Sequence, residues 1–382
     1  MKNKYIILGA GLQGVAAAYD FGRFGEAEQI MLADADLKAS ETAAAHVNRL
    51  LDSNITAHTQ LDVAEVDKVR RLLKEYDVCL SAVPYYFNET LTQCAIQAGC
   101  HFCDLGGNTE VVFKQHELHP AAQKAGITVA PDCGLAPGMA NILAAYGIHH
   151  LERPRSVQIH VGGLPQNPKP PLDYALSFSI VGLTNEYFGR APILRNGKVT
   201  LVDTFTELEE IEFPAPVGKC ESFITHGGTS TCPWTFEGKL ETYTEKTVRY
   251  PGHYEKMKTI YDLGLLDEQP VQVGESSVIP RQVFHAVAEP RLTSDDPRDV
   301  VVLRVIVEGD DGKMVLELMD FYDETTGFTA MQRTTGFGAT IVGILMARGE
   351  TPAGSIRIER AIEASHYVRE LKYRGFNLNI SH

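Results

Sequence analysis

The chain has 382 residues, 44% hydrophobic and 22% charged, the composition of an ordinary soluble globular protein with a sizeable core, and its length allows roughly two or three domains. A formal net charge of −14, from 35 basic and 49 acidic residues, with no Lys/Arg cluster long enough to track phosphates, argues against a nucleic-acid partner. A strand beginning within four residues of the N-terminus leaves no room for a signal peptide, and the most apolar late stretch, Ala339–Ala347, is too short to span a bilayer, so a cytoplasmic protein with no membrane partner is expected.

The first predicted element is a buried strand, Tyr5-Ile6-Ile7-Leu8, which runs into glycines at Gly9, Gly11 and Gly14 and then into a helix start at Val15–Tyr19. A Gly-x-Gly-x-x-Gly turn between strand and helix lets the backbone of Gly9, Gly11, Leu12, Gln13 and Gly14 approach an anion, with the helix dipole behind it. A second apolar strand, Ile30–Ala33, ends on Asp34, twenty residues beyond Gly14. An acid there accepts hydrogen bonds from an adenosine ribose 2′-OH and repels a 2′-phosphate. No Arg or Lys stands between Asp34 and Lys38, so the expected cofactor is NAD rather than NADP.

Alternation continues with a helix around Ala39–Leu51, a strand near Ile55–His58, a helix at Val63–Glu75 and a strand at Asp77–Pro84. A helix at Asn88–Ala98, a strand at His101–Leu105, a helix near Val111–Ala125 and a strand at Ile127–Pro131 complete it. This pattern predicts an α/β, Rossmann-type doubly wound parallel sheet with ligands at the carboxyl ends of its strands. Those ends carry Gly9 and Asp34, then Ala82, Val83, Pro84 and Tyr86, then Asp104 through Asn108, then Asp132 through Gly134. Ala82, Val83 and Pro84 are candidate cofactor contacts, and Tyr86 a candidate substrate contact.

The seven cysteines, Cys79, Cys94, Cys100, Cys103, Cys133, Cys220 and Cys232, are odd in number and scattered, which suggests free thiols in a reducing compartment. Cys100 and Cys103 followed by His116 and His119 imitate a zinc-finger layout, but only two residues separate the histidines where three to five are usual. No metal is expected.

After about residue 150 the pattern changes. Val157, Ile159 and Val161 alternate into the Gly/Pro-rich loop 162–171, and further strand-like runs are Ala175–Ile180, Lys198–Val202, Lys219–Thr225, Lys239–Tyr250, Val300–Glu308 and Lys313–Tyr322. The last two flank Gly309-Asp310-Asp311-Gly312, a hairpin turn. Residues 146–328 therefore read as a second, α+β domain with a mixed sheet for substrate binding and dimerisation. A helix from Thr329 to Gly349 is expected to return to the nucleotide domain, so that 1–145 is completed by 329–382, with the catalytic cleft between the domains.

Hydride transfer needs a positioned substrate and a proton acceptor. His253, at the start of a helical pattern over Tyr254–Leu265, sits where a helix dipole favours neutral imidazole, which reads equally as a base or as a helix cap. Arg249 offers a bidentate clamp for a carboxylate, or is an ordinary strand arginine. Glu186, beyond an apolar strand at Phe178–Val181, suits a substrate ammonium, or is a surface carboxylate. The loop holding Thr229, Ser230 and Thr231 reads as a polar pocket floor or as a solvated loop.

Together these stretches resemble the saccharopine dehydrogenase-like superfamily, and within it most closely the lysine 6-dehydrogenases. The resemblance rests on ILGAGLQG at 7–14, DLGGNT at 104–109, CGLAPGMANIL at 133–143, GGLPQNPKPPLDYALSFSIVGL at 162–183, GGTST at 227–231 and KTVRYPGH at 246–253. Saccharopine reductases of the superfamily carry Gly-Leu-Asp-Pro-Gly where this chain has Ala136 between Leu135 and Pro137, and tend to carry an Arg in the loop read here as Gly227-Gly228-Thr229-Ser230. Both departures count against saccharopine as substrate. The resemblance implies NAD-dependent oxidative deamination of the ε-amine of L-lysine to 2-aminoadipate 6-semialdehyde, with release of ammonia. In that reaction Arg249 would hold the α-carboxylate and Glu186 the α-ammonium, with His253, or else Asp104 or Asp132, taking the proton or activating water. The alternatives are a saccharopine or carboxynorspermidine-type enzyme and a non-catalytic NAD(H) sensor. A homo-oligomer, a dimer or a tetramer, is expected.

Overall fold

The computed structural model describes residues 2–382, which divide into two compact units: one of residues up to Tyr146 with Gln332–Gly375, the other Gly147–Met331 with Phe376–His382. The first unit opens with β1 (Asn3–Leu8), α1 (Leu12–Phe24), β2 (Ala27–Asp34), α2 (Leu37–Leu51), β3 (Thr56–Gln60), α3 (Val66–Leu73) and β4 (Val78–Ser81). It continues with α4 (Asn88–Ala98), β5 (His101–Asp104), α5 (Thr109–Glu117), α6 (His119–Ala125), β6 (Thr128–Ala130) and α7 (Met139–His150). Two caps start helices as their side chains dictate: Asp36 accepts from the N–H groups of Lys38 and Ala39 in α2, and Asn108 from those of Glu110 and Val111 in α5. One helix was expected over 111–125, but the chain makes two. Pro120 lacks the N–H and its ring collides with the carbonyl four residues back, so α5 stops before it and α6 restarts with Pro120 in its first turn.

The second unit holds β7 (Pro154–Pro165), α8 (Ile180–Glu186), β8 (Arg190–Arg195), β9 (Lys198–Asp203), β10 (Glu209–Phe213), β11 (Gly218–Ile224), α9 (Cys232–Thr235) and β12 (Thr242–Arg249). Next come α10 (His253–Asp262), a small hairpin of β13 (Val271–Val273) and β14 (Ser276–Val278), α11 (Pro280–Leu292), β15 (Asp299–Gly309) and β16 (Gly312–Phe321). Gly309 pairs with Gly312 across the expected two-residue turn. The strand expected over Ala175–Ile180 is absent. Ser179 instead accepts a hydrogen bond from the Gly182 N–H and caps α8, whose Ile180, Leu183 and Thr184 are buried at helical spacing, so Glu186 ends a helix rather than following a strand.

The chain then returns to the first unit through α12 (Ala330–Gln332), a π-helical turn at Arg333–Phe337 and α13 (Gly338–Ala347), followed by β17 (Gly354–Ser355), α14 (Ile358–Ala361) and α15 (Ala364–Tyr373); β18 (Leu378–Ser381) belongs to the second unit. The first sheet has the order β17-β6-β5-β4-β1-β2-β3 and is parallel throughout. This is the doubly wound arrangement, with its switch point between β1 and β4. Both faces of such a sheet are covered, and the four residues Tyr5–Leu8 are fully buried. The second sheet runs β10-β11-β12-β7-β15-β16-β18 with β8 and β9 attached beside β12, and only the β12–β7 pair is parallel. Among the described residues no helix is long and apolar enough to cross a membrane.

Candidate functional site

At the switch point each glycine of the first turn has its own task. Gly9 has φ +102°, and a Cβ there would stand 2.8 Å from the Ala82 carbonyl oxygen; one on Gly14 would fall 1.9 Å from the Gly9 carbonyl oxygen. These two let β1, β4 and α1 close up. Gly11, before the first turn of α1, is different: a Cβ there would meet nothing within 4 Å. Its open side, in front of the first-turn N–H groups of a thirteen-residue helix, has the geometry that admits an anion. Leu12 and Gln13 contribute backbone to that first turn; the Leu12 side chain is exposed, and its carbonyl accepts from Gln332 Nε2 at 2.9 Å.

Asp34 closes the turn from β2. Its carboxylate accepts from the Ala10 N–H at 2.7 Å and the Asp36 N–H at 2.9 Å, which holds it beside the glycine turn. The first cation after it, Lys38, is turned to Glu41 at 3.1 Å. An open backbone cradle next to an anchored acid fits the pyrophosphate and ribose of a dinucleotide.

The other strand ends are mostly occupied by their own loops. Ala82, Val83 and Pro84 lead from β4 into a 3-10 turn at Tyr85–Phe87, where Tyr86 is 62% exposed. Asp104 is fully buried: Oδ1 accepts from the N–H groups of Gly106 (2.8 Å) and Asp132 (3.1 Å), and Oδ2 from Gln115 Nε2 (2.7 Å). Burial raises its pKa and these three donors oppose the shift. Asp132, also buried, has φ +62°. The Asp104 carboxylate ties the two strand ends together, with Asp132 contributing its backbone N–H. Cys103 donates towards the Cys79 carbonyl, and His116 Nδ1 lies 3.0 Å from Ser355 Oγ; among the described residues no group of three or more His, Cys, Asp or Glu could hold a metal ion.

The second unit contains a buried polar chain built on β12. Arg249, 3% exposed, donates from Nε to Tyr187 Oη at 2.8 Å and from Nη1 to the Val248 carbonyl at 2.9 Å, and its Nη2 faces Glu186 Oε2 at 3.4 Å. The guanidinium lies over the Tyr174 ring, 4.9 Å from its centroid, a cation–π contact in a desolvated place. Tyr187 Oη is in turn 2.9 Å from His253 Nε2, and His253 Nδ1 is 3.0 Å from the Leu172 carbonyl. A carbonyl only accepts, so Nδ1 carries the proton, Nε2 accepts from Tyr187, and Tyr187 accepts from Arg249.

His253 was expected as a proton acceptor or a helix cap, and in the structure its ring makes its hydrogen bonds inside the unit. The ring is fully buried with both nitrogens engaged, and burial first, then the Arg249 charge, lower its pKa to about 3. The α10 cap is Glu221 from β11, whose carboxylate accepts from the N–H groups of Gly252 (3.0 Å) and Tyr254. His253 is thus a positioning residue for Tyr187 and, through it, for Arg249.

The expected pocket floor is likewise internal. Thr229, Ser230 and Thr231 are buried, and the Thr229 hydroxyl donates to the Pro192 carbonyl at 2.9 Å. Glu186 is 30% exposed at its side chain; burial, opposed by Arg249, lifts its pKa to about 7. Residues missed in the sequence are Tyr174, Tyr187 and Glu245. For Glu245 a signal was available: Glu245, Thr247 and Arg249 alternate along one strand and so share a face. Tyr174 and Tyr187 come from segments distant in sequence and had none.

Comparison with known proteins follows the two units. A family model described as the saccharopine dehydrogenase NADP binding domain matches residues 5–130, and one described as the saccharopine dehydrogenase C-terminal domain matches residues 134–376. The saccharopine dehydrogenase (NADP(+), L-glutamate-forming) of Schizosaccharomyces pombe is 27% identical over 288 residues, covering 72% of this chain and 62% of the relative. The carboxynorspermidine synthase of Vibrio cholerae is 22% identical over 334 residues, 79% of this chain and 78% of the relative. The apo saccharopine dehydrogenase (L-Glu forming) of Saccharomyces cerevisiae has a TM-score of 0.79 at 21% identity, covering 99% of both chains, a likeness of fold. This chain thus spans about three-fifths of the length of the fission-yeast relative. Matches that begin in β1 and end after α15 take in both units, and the chain belongs to the saccharopine dehydrogenase family.

Proposed function

We propose that the protein is an NAD-dependent amino acid dehydrogenase that oxidises the ε-amine of L-lysine to an imine by hydride transfer to NAD, after which water adds and ammonia leaves to give 2-aminoadipate 6-semialdehyde. The observation that carries this reading is the pairing of Arg249 with Glu186. A buried guanidinium beside a part-exposed carboxylate mirrors the carboxylate and ammonium of an α-amino acid, so an incoming zwitterion exchanges one ion pair for two. Ala136 stands where saccharopine reductases carry an acid, and the 227–230 loop has no arginine; both favour a substrate smaller than saccharopine.

Bound NAD supplies the two-electron acceptor for hydride leaving the substrate carbon. The Gly11 cradle would hold its pyrophosphate and Asp34 its adenosine ribose. Arg249 binds the substrate α-carboxylate, Glu186 the α-ammonium, and the Tyr187–His253 chain keeps the guanidinium in place. Asp104 holds the strand-end loops. The relatives named above include an NADP-linked enzyme, and Asp34 is the reason for proposing NAD here. We also propose a homodimer, which light scattering on the eluted peak tests; a strict monomer would overturn it.

The deciding experiment is absorbance at 340 nm with NAD or NADP and a panel of L-lysine, L-ornithine and saccharopine, with ammonia measured alongside. NADH and ammonia formed from lysine are expected. A signal from saccharopine alone would overturn the substrate, and NADH binding with no amine-dependent reduction would favour the sensor.

A further inference from the structure

Glu245 stands apart from the other acids of the second unit described so far. Its side chain is buried at 2% exposure, and its Oε2 accepts no hydrogen bond. Its neighbour on the same face, Thr247, is matched with Thr225, hydroxyl to hydroxyl at 2.7 Å. A buried carboxyl oxygen without a donor is costly in a folded protein and is found where a ligand completes it.

The loop opposite is shaped to admit that carboxyl. A Cβ on Gly228 would stand 2.4 Å from both Cδ and Oε2 of Glu245, so only glycine lets the carboxyl lie there. The charged groups that act on it are Glu186 from α8 and Arg249 from its own strand, while Gly228 and its sheet neighbour Ile159 bring none. Burial and then the Glu186 charge raise its pKa to about 8, with Arg249 opposing. At neutral pH the carboxyl is therefore mostly protonated until a cation arrives.

We propose that Glu245 is the subsite for the side-chain ammonium of the substrate, set along β12 from the Arg249 carboxylate clamp. The proposal rests on the reading of the protein as a lysine dehydrogenase. Four residues along a strand separate the two α-carbons by about 13 Å. The six bonds from the lysine carboxyl carbon to its ε-nitrogen reach about 7–8 Å, and the two inward-reaching side chains take up the difference. Glu186 and Arg249 then recognise the amino acid head, and Glu245 the far amine, so that the site selects for chain length and for a second cation.

The test is calorimetric titration of the NADH-bound protein, in which no turnover occurs, with L-lysine and with L-norleucine, which lacks the ε-nitrogen. Wild type should bind lysine at least about 30-fold more tightly than norleucine, the discrimination expected when one buried polar group is left unsatisfied. Glu245→Gln should bring the two within about threefold while norleucine affinity is kept. Titrations at pH 7 in phosphate and Tris should also show that wild type releases nearly one proton more per lysine bound than the variant. An unchanged lysine preference or unchanged proton release in Glu245→Gln would overturn the assignment, with the lysine reading intact. Should that variant lose norleucine binding as well, Gly228→Ala decides in the same assay, because its Cβ must push the carboxyl aside; an unaltered preference there would also overturn the assignment. Wild type that binds saccharopine and not lysine would instead overturn the reading beneath it.

Discussion

Tyr187 is the hinge of the buried chain in the second unit, and Tyr187→Phe is the sharpest test of how that chain is wired. The hydroxyl accepts from Arg249 Nε and donates to His253 Nε2, so removing one oxygen orphans two buried groups. An unsatisfied charged donor costs roughly 1.5–3 kcal/mol and an unsatisfied neutral acceptor roughly 1–2 kcal/mol, with a small return from not burying the hydroxyl. The loss should be about 3 kcal/mol. For a unit of this size that is a fall of about 6–12 °C in the transition of the second unit, read by scanning calorimetry and by urea unfolding. The same change frees the guanidinium to move, so the KM for L-lysine should rise more than kcat falls. A variant within about 0.5 kcal/mol of wild type would refute the wiring, since no arrangement with both bonds present allows so small a loss.

Gly11→Ala should leave the thermal stability of the nucleotide-free protein unchanged, because a Cβ there meets nothing, yet weaken NADH binding at least about tenfold, read by fluorescence titration; Gly14→Ala should unfold or distort the turn even without nucleotide. NADH should bind at least about tenfold more tightly than NADPH, a difference of about 1.4 kcal/mol; the reverse order would refute the role given to Asp34. The folded pKa of His253 lies at about 3, below its ordinary 6.5. Stability present above pH 6.5 should therefore be lost as pH falls from 6.5 towards 3, because only the unfolded chain takes up the proton in that window. Nitrogen-15 NMR should show His253 still neutral at pH 5 with the proton on Nδ1; a protonated ring there would refute the burial argument.

The nucleotide turn was legible in the sequence almost residue by residue. Its determinants are local: a β1 of unbroken apolar residues, glycines at three positions where a side chain would meet backbone or block an anion, and Asp34 at the end of the next strand. The parallel order followed from the same alternation, because buried strands joined by helices have few ways to pair. Local signals failed where two patterns competed. Ala175–Ile180 has strand composition, yet the Ser179 cap and the burial of Ile180, Leu183 and Thr184 made the following stretch a helix, and Pro120 divided a helix whose apolar periodicity ran on through it.

The roles in the second unit were decided by tertiary structure. His253 carries the residue type and the helix position of a base, and only the approach of Leu172 and Tyr187 from distant segments shows that both of its nitrogens are engaged. Glu245 looks like any strand glutamate until Gly228 closes over it. A titratable group's chemistry depends on what surrounds it within a few ångströms, and in a mixed sheet those neighbours are brought together from across the chain. The sequence alone therefore determined the strand–turn–helix pattern of a dinucleotide-binding domain and the family to which the chain belongs, whereas burial and long-range contacts decided which side chains hold each other.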